Sequence, residues 1–132
     1  MASAPSYAAT PAPWCGQVPA SADTSTTSPS NFTILGSAGA SGTKVSQIDV
    51  VPLGTVSAGV VNVFAYDGTA YHLVDGVTVT AGSVNSTAGA TALKQTLTYD
   101  NLTIASGWSL RVSNTVAGNV SLIGVNAWAA SL

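Results

Sequence analysis

The stretch that most constrains the fold runs over residues 54–80, GTVSAGVVNVFAYDGTAYHLVDGVTVT. β-Branched and aromatic residues crowd positions 59–66, and such side chains suit a pleated, half-buried surface. Alternation assigns Val61, Val63 and Ala65 to one face and Val60, Asn62, Phe64 and Tyr66 to the other. Asp67-Gly68 then supplies a hairpin turn, since glycine takes positive φ without steric cost. The return strand carries Tyr71, Leu73 and, beyond a second Asp75-Gly76 punctuation, Val77 and Val79. Two strands alone are marginal in water, so further strands must cover this hairpin. Both of its faces are fairly apolar, which fits a sandwich better than an open sheet.

The remaining residues supply those strands. Short apolar or alternating runs at 32–35, 44–53, 93–99, 102–105, 108–113 and 120–128 are separated by Gly-, Asn- or Asp-bearing turns, one of them expected at Asp100-Asn101. Residues 81–90 read as a polar surface loop. About eight short antiparallel strands without a convincing helix predict an all-β fold, a single β-sandwich or jelly roll. At 132 residues this is one domain with room for a real core.

Residues 1–30 read differently. They hold five of the six prolines and are otherwise mostly Ala, Ser and Thr. Neither strand nor helix periodicity is visible, so they are expected to form an extended N-terminal arm preceding a β-sandwich domain over 31–132. Such an arm gains order only where something holds it, a neighbouring subunit or the surface of its own domain. Tyr7, Pro11, Pro13, Trp14 and Val18 are its candidate partner-binding residues, with the rings of Tyr7 and Trp14 as anchors.

Composition limits function. Only 6% of residues are charged, against about 25% in ordinary domains. A surface this neutral suits a protein that lives bound to a large assembly, and it favours self-association, for which closed symmetric clusters, a trimer among them, are the common form. Lys44, Lys94 and Arg111 are too few and too scattered for a phosphate footprint, so nucleic acid is not an expected partner. No apolar run approaches the roughly 20 residues that span a bilayer, and no secretory signal pattern opens the chain, so the expected partners exclude membrane. The four Asn-x-Ser/Thr matches at Asn31, Asn85, Asn101 and Asn119 are chance-level in so Ser/Thr-rich a chain.

Catalysis has few materials. There is no glutamate, one histidine and one cysteine, while acid–base chemistry draws on paired carboxylates or an oriented histidine. His72 is expected to be a strand residue bonded to a neighbour. Asp49, Asp67, Asp75 and Asp100 are read as turn residues rather than calcium ligands, and Cys15 as a small buried hydrophobe beside Trp14. The expectation is a non-enzyme without cofactor or metal.

Gly54-Thr55-Val56-Ser57-Ala58-Gly59 running into residues 60–64, then Tyr66-Asp67-Gly68-Thr69 and Tyr71, resembles small virion proteins of tailed bacteriophages. The later Ser106-Gly107-Trp108-Ser109-Leu110-Arg111-Val112-Ser113 and the aromatic near the last strand's end fit the same pattern. The resemblance covers roughly residues 43–128. It implies a structural component of the particle, a capsid cement or decoration protein or another head or tail accessory. Its partner would be the major capsid protein, and its place the capsid exterior after assembly in a host cytoplasm. The competing expectation is a tail or head-fibre module reading host glycan with Tyr66, Tyr71 and Trp108. The scatter of the three tryptophans over arm, strand and C-terminus favours the structural role.

Overall fold

The computed structural model describes residues 10–119 and 122–132. The described residues form nine strands: β1 (Thr10–Pro11), β2 (Trp14–Gln17), β3 (Thr33–Ser37), β4 (Thr43–Pro52), β5 (Gly59–Tyr66), β6 (Tyr71–Val79), β7 (Gln95–Ile104), β8 (Ser109–Asn114) and β9 (Ile123–Ser131). Antiparallel pairs nest about the central hairpin: β5 with β6, β4 with β7, β3 with β8 and β2 with β9. Successive pairs of this long hairpin fall into opposite sheets. One sheet has the order β1-β9-β4-β7, with β2 also on β9, and the other β3-β8-β5-β6. That is the connectivity of a jelly roll.

Alternation in the central hairpin is realised. Val61, Val63 and Ala65 enter the core, where Val45, Ile48 and Val50 of β4, Leu110 and Val112 of β8 and Ile123, Val125 and Ala127 of β9 meet them. Phe64 and Asn62, on the opposite face of β5, are buried as well. The Tyr66–Tyr71 pair is closed by a four-residue loop in which Gly68 takes a φ of 99°.

Two expected interruptions are absorbed as bulges. The turn expected at Asp100-Asn101 does not form, and β7 runs through it. Val45 pairs with Leu102 and Gln47 with Thr98, so Tyr99, Asp100 and Asn101 together oppose Ser46. The ladder on either side holds the chain extended, and the turn-prone residues become the irregularity. At Asp75-Gly76 the strand likewise continues, with Val74 the extra residue between the Val63–Asp75 and Phe64–Leu73 pairs.

The largest correction concerns the expected arm. Residues 10–17 are not without strand structure: β1 and β2 pair with β9 along the edge of the first sheet. Proline is tolerated there because an edge strand has one unpaired side. Beyond β2, the Val18 N–H donates to the Ile123 carbonyl at 3.0 Å and the Asp23 N–H to the Asn114 carbonyl at 2.8 Å, carrying the chain across to the second sheet. The Asp23 carboxylate accepts from the N–H groups of Ser25, Ser30 and Asn31 and closes residues 23–31 into a compact loop.

Candidate functional site: the Trp128 shelf

Along β9, Ile123, Val125 and Ala127 face the core, so Trp128 is turned outward and is 44% exposed. Its neighbour across the ladder is Gln47 of β4. One step along β4 on the same outer face stands Asp49, only 6% exposed despite its charge. A carboxylate is stable in such a place only when its oxygens are filled. Here Oδ2 accepts from the Trp128 indole Nε1–H at 2.8 Å, and Oδ1 accepts from Gln47 Nε2 and Thr96 Oγ1, both at 2.9 Å. Burial alone pushes the Asp49 pKa up. The donors, Trp128 foremost, together with the charge of Lys94, overcome it and hold the carboxyl below its usual range.

The indole is thereby pinned by its polar edge, and its ring borders a pocket of about 480 Å³. Pro11, Pro13, Lys44, Ser46, Ala129 and Ala130 complete the lining. The N–H of Ala12 donates to the Ala129 carbonyl at 2.8 Å, which fixes the two flanking prolines beside Trp128. Ser46 Oγ is spent on the Trp128 carbonyl at 3.0 Å. What remains is an apolar shelf with one cation, Lys44, at its border.

Of the candidate arm residues, the fold brings Pro11 and Pro13 together on this shelf and places Trp14 and Val18 elsewhere. Val18 is 3% exposed and belongs to the core, so it is no partner anchor. Trp14 is half-buried against the same core. It lies so close over Gly36 that a Cβ there would fall 2.3 Å from the indole Cγ. Tyr7 lies outside the described residues. Cys15, expected to be buried, is exposed, because alternation on β2 turns Trp14 inward and its neighbour outward. Asp49 was expected near a turn and stands instead in the middle of β4.

His72 is also exposed. Its ring stacks on Trp108 at 5.6 Å and 17°, with Nε2 2.9 Å from Asp67 Oδ2. Asp67 is held down at about 2 by the backbone N–H of Ala70, then by His72 and the N–H of Thr69. This cluster organises the β5–β6 loop. Asp75, on β6, accepts from Tyr99 Oη of β7 at 3.1 Å, a polar tie between the two sheets. Burial, then the Asp75 charge, raises the Tyr99 phenol.

No family model, no curated protein and no solved structure matches this chain.

Proposed function

We propose that this chain is a structural virion protein, a cement or decoration protein on the exterior of a phage head, which docks on the major capsid protein through the Trp128 shelf. The observation that carries this reading is the shelf itself. Its indole has spent its only donor on Asp49 and offers a ring face, while Pro11, Pro13, Ala129 and Ala130 add rigid apolar area with little side-chain entropy to lose. Fixed aromatic anchors of this kind dominate protein–protein contacts. The jelly-roll connectivity supports the reading by analogy, since viral capsid domains use it, although the same architecture serves lectins and cupins. Sparse charge supports it too, and favours self-association, with a trimer as the closed form.

Glycan recognition on a fibre is the second reading, because a tryptophan face also stacks on sugar. The shelf favours protein: among the described residues its polar side chains are Lys44 and Ser46, and Ser46 is already engaged. Reading hydroxyl groups needs more placed donors and acceptors than that.

Copy number on purified particles separates the two. Hundreds of copies per particle support cement, and a few dozen or fewer support a fibre or tail. Particles stripped of the protein and re-mixed with wild type or Trp128→Ala then test the shelf. The expected loss is about 2 kcal/mol or more in affinity, and equal occupancy by the two proteins refutes docking through Trp128.

A further inference from the structure

The outer face of the second sheet carries a cation with no counter-ion. Arg111, on β8, is the chain's only arginine. Its guanidinium carbon sits 3.9 Å from the centroid of Tyr66 and 4.4 Å from that of Phe32. Nε donates to Ser109 Oγ at 2.9 Å and Nη1 to Tyr71 Oη at 2.8 Å. Behind these groups the Tyr71 ring packs on Tyr66 at 4.5 Å and edge-on to the buried Phe64 at 5.6 Å.

All five acidic residues lie within the described parts of the chain, and the only ion pair among the described residues is His72 with Asp67. Arg111 therefore has aromatic faces and two hydroxyl acceptors around it, and no carboxylate. The Tyr66 and Phe32 rings lie within 4.4 Å of its Cζ. Nε and one Nη1 hydrogen are spent on Ser109 and Tyr71, so the unpartnered N–H groups among the described residues are on the Nη1–Nη2 edge of the fork. That edge is the part of a guanidinium that receives a carboxylate with two parallel hydrogen bonds.

The surroundings define what brings that carboxylate. Register places Ile34 of β3 beside Arg111, then Phe64 of β5, then Leu73 of β6, in one row across the sheet. Ile34 is 50% and Leu73 47% exposed, so the arginine has an open aliphatic residue on each side. With strands about 4.8 Å apart, the row is about 14 Å long, which an extended segment of about five residues covers. We propose that this face docks an acidic protein segment whose carboxylate seats on the edge of Arg111 while aliphatic side chains on either side rest on Ile34 and Leu73. An acidic sugar fits less well. The Tyr66 and Phe32 rings already lie on the guanidinium, and no carboxylate in the cluster is placed to accept sugar hydroxyls. The Trp128 shelf lies on the other sheet, so this site stands whether or not the shelf docks on a capsid.

Because Arg111 is unique, its Nε–Hε signal in a ¹⁵N-correlated spectrum needs no sorting from other arginines. The full-length protein is titrated with acetyl-Leu-Ser-Asp-Ser-Leu-amide and with the same peptide carrying Asn for Asp. The expected result is a saturating shift of the Arg111 signal and of the Ile34 and Leu73 amides, with the Asn peptide at least about fivefold weaker, since charge-assisted bonds are roughly twice as strong as neutral ones. Arg111→Lys keeps the charge and loses the fork, and it should weaken the Asp peptide similarly. Trp128→Ala should leave the titration unchanged. The wild-type comparison needs no variant, so a poorly folding Arg111→Lys protein does not blunt the test. Equal response to the two peptides, or no saturation by either, overturns the proposal. Tighter saturation by D-glucuronate than by the Asp peptide overturns the choice of a protein segment.

Discussion

The Trp128 indole and the Asp49 carboxylate meet diagonally across β9 and β4 at 2.8 Å, although the residues paired in register are Trp128 with Gln47 and Asp49 with Asn126. The diagonal makes a nearly buried acid the support of an exposed ring. Asp49→Asn preserves volume but turns one acceptor into an N–H facing donors from Trp128, Gln47 and Thr96. It should cost about 1–3 kcal/mol, read from the denaturant midpoint. Combined with Trp128→Phe, which removes the strongest of those donors, the loss should be less than additive. An unchanged midpoint would show that the acid does not support the ring.

Gly36 is required by the indole of Trp14 lying over it. Gly36→Ala should destabilise by about 1–3 kcal/mol through overpacking. The cost should shrink in a Trp14→Leu background, where the ring is gone. Full cost in both backgrounds would place the strain elsewhere.

Removing residues 2–28 should lower the thermal midpoint, because it takes β1, β2, Trp14 and the buried Val18 out of the first sheet and its core. Val18→Ala alone should cost about 1–3 kcal/mol. A truncated protein melting with the wild type would restore the picture of a free arm.

The β5–β6 loop should titrate in strong acid. The folded pKa of Asp67 lies at about 2, below the value of about 3.9 in an unfolded chain. Its contribution to stability is therefore complete above about pH 4 and is lost as pH falls through the folded value. The amide signals of Thr69 and Ala70, which donate to its Oδ1 at 2.8 and 2.7 Å, should follow that titration. A midpoint near the ordinary carboxylate value would contradict the assignment, and Asp67→Asn should abolish the transition.

Much of the fold was legible because the central hairpin is local. Its alternation named the core face of β5, and the turn residues after it named the return. Two kinds of feature were illegible. Asp100 and Asn101 carry turn chemistry, yet a bulge against Ser46 satisfies it inside a strand, and only the partner strand decides between those outcomes. The proline-rich segment looked shapeless because an edge strand needs little of its own; β9, more than a hundred residues away, supplies the ladder for Trp14 to Gln17. The site divides in the same way. Pro11 and Pro13 stood out by composition, whereas Trp128 and Asp49 became a pair only once β4 lay beside β9. The one sign of them in the sequence was a charge among the apolar residues of β4, Asp49 between Ile48 and Val50.

The nested pairing also fixes an order of events. Tyr66 finds Tyr71 across a short loop, whereas Trp14 must find Ala127 with nearly the whole chain between them. Closing the outer pairs first would cost far more loop entropy than zipping outward from the hairpin. Refolding should therefore be slow for a chain of this size, as in other proteins dominated by non-local contacts. The join of β1 and β2 to β9 should come last, with substitutions at Val18 speeding unfolding more than they slow folding. On that timetable the Pro11–Pro13–Trp128 surface is finished only when every other layer is in place, so under the proposed docking an incompletely folded copy would have no surface with which to compete.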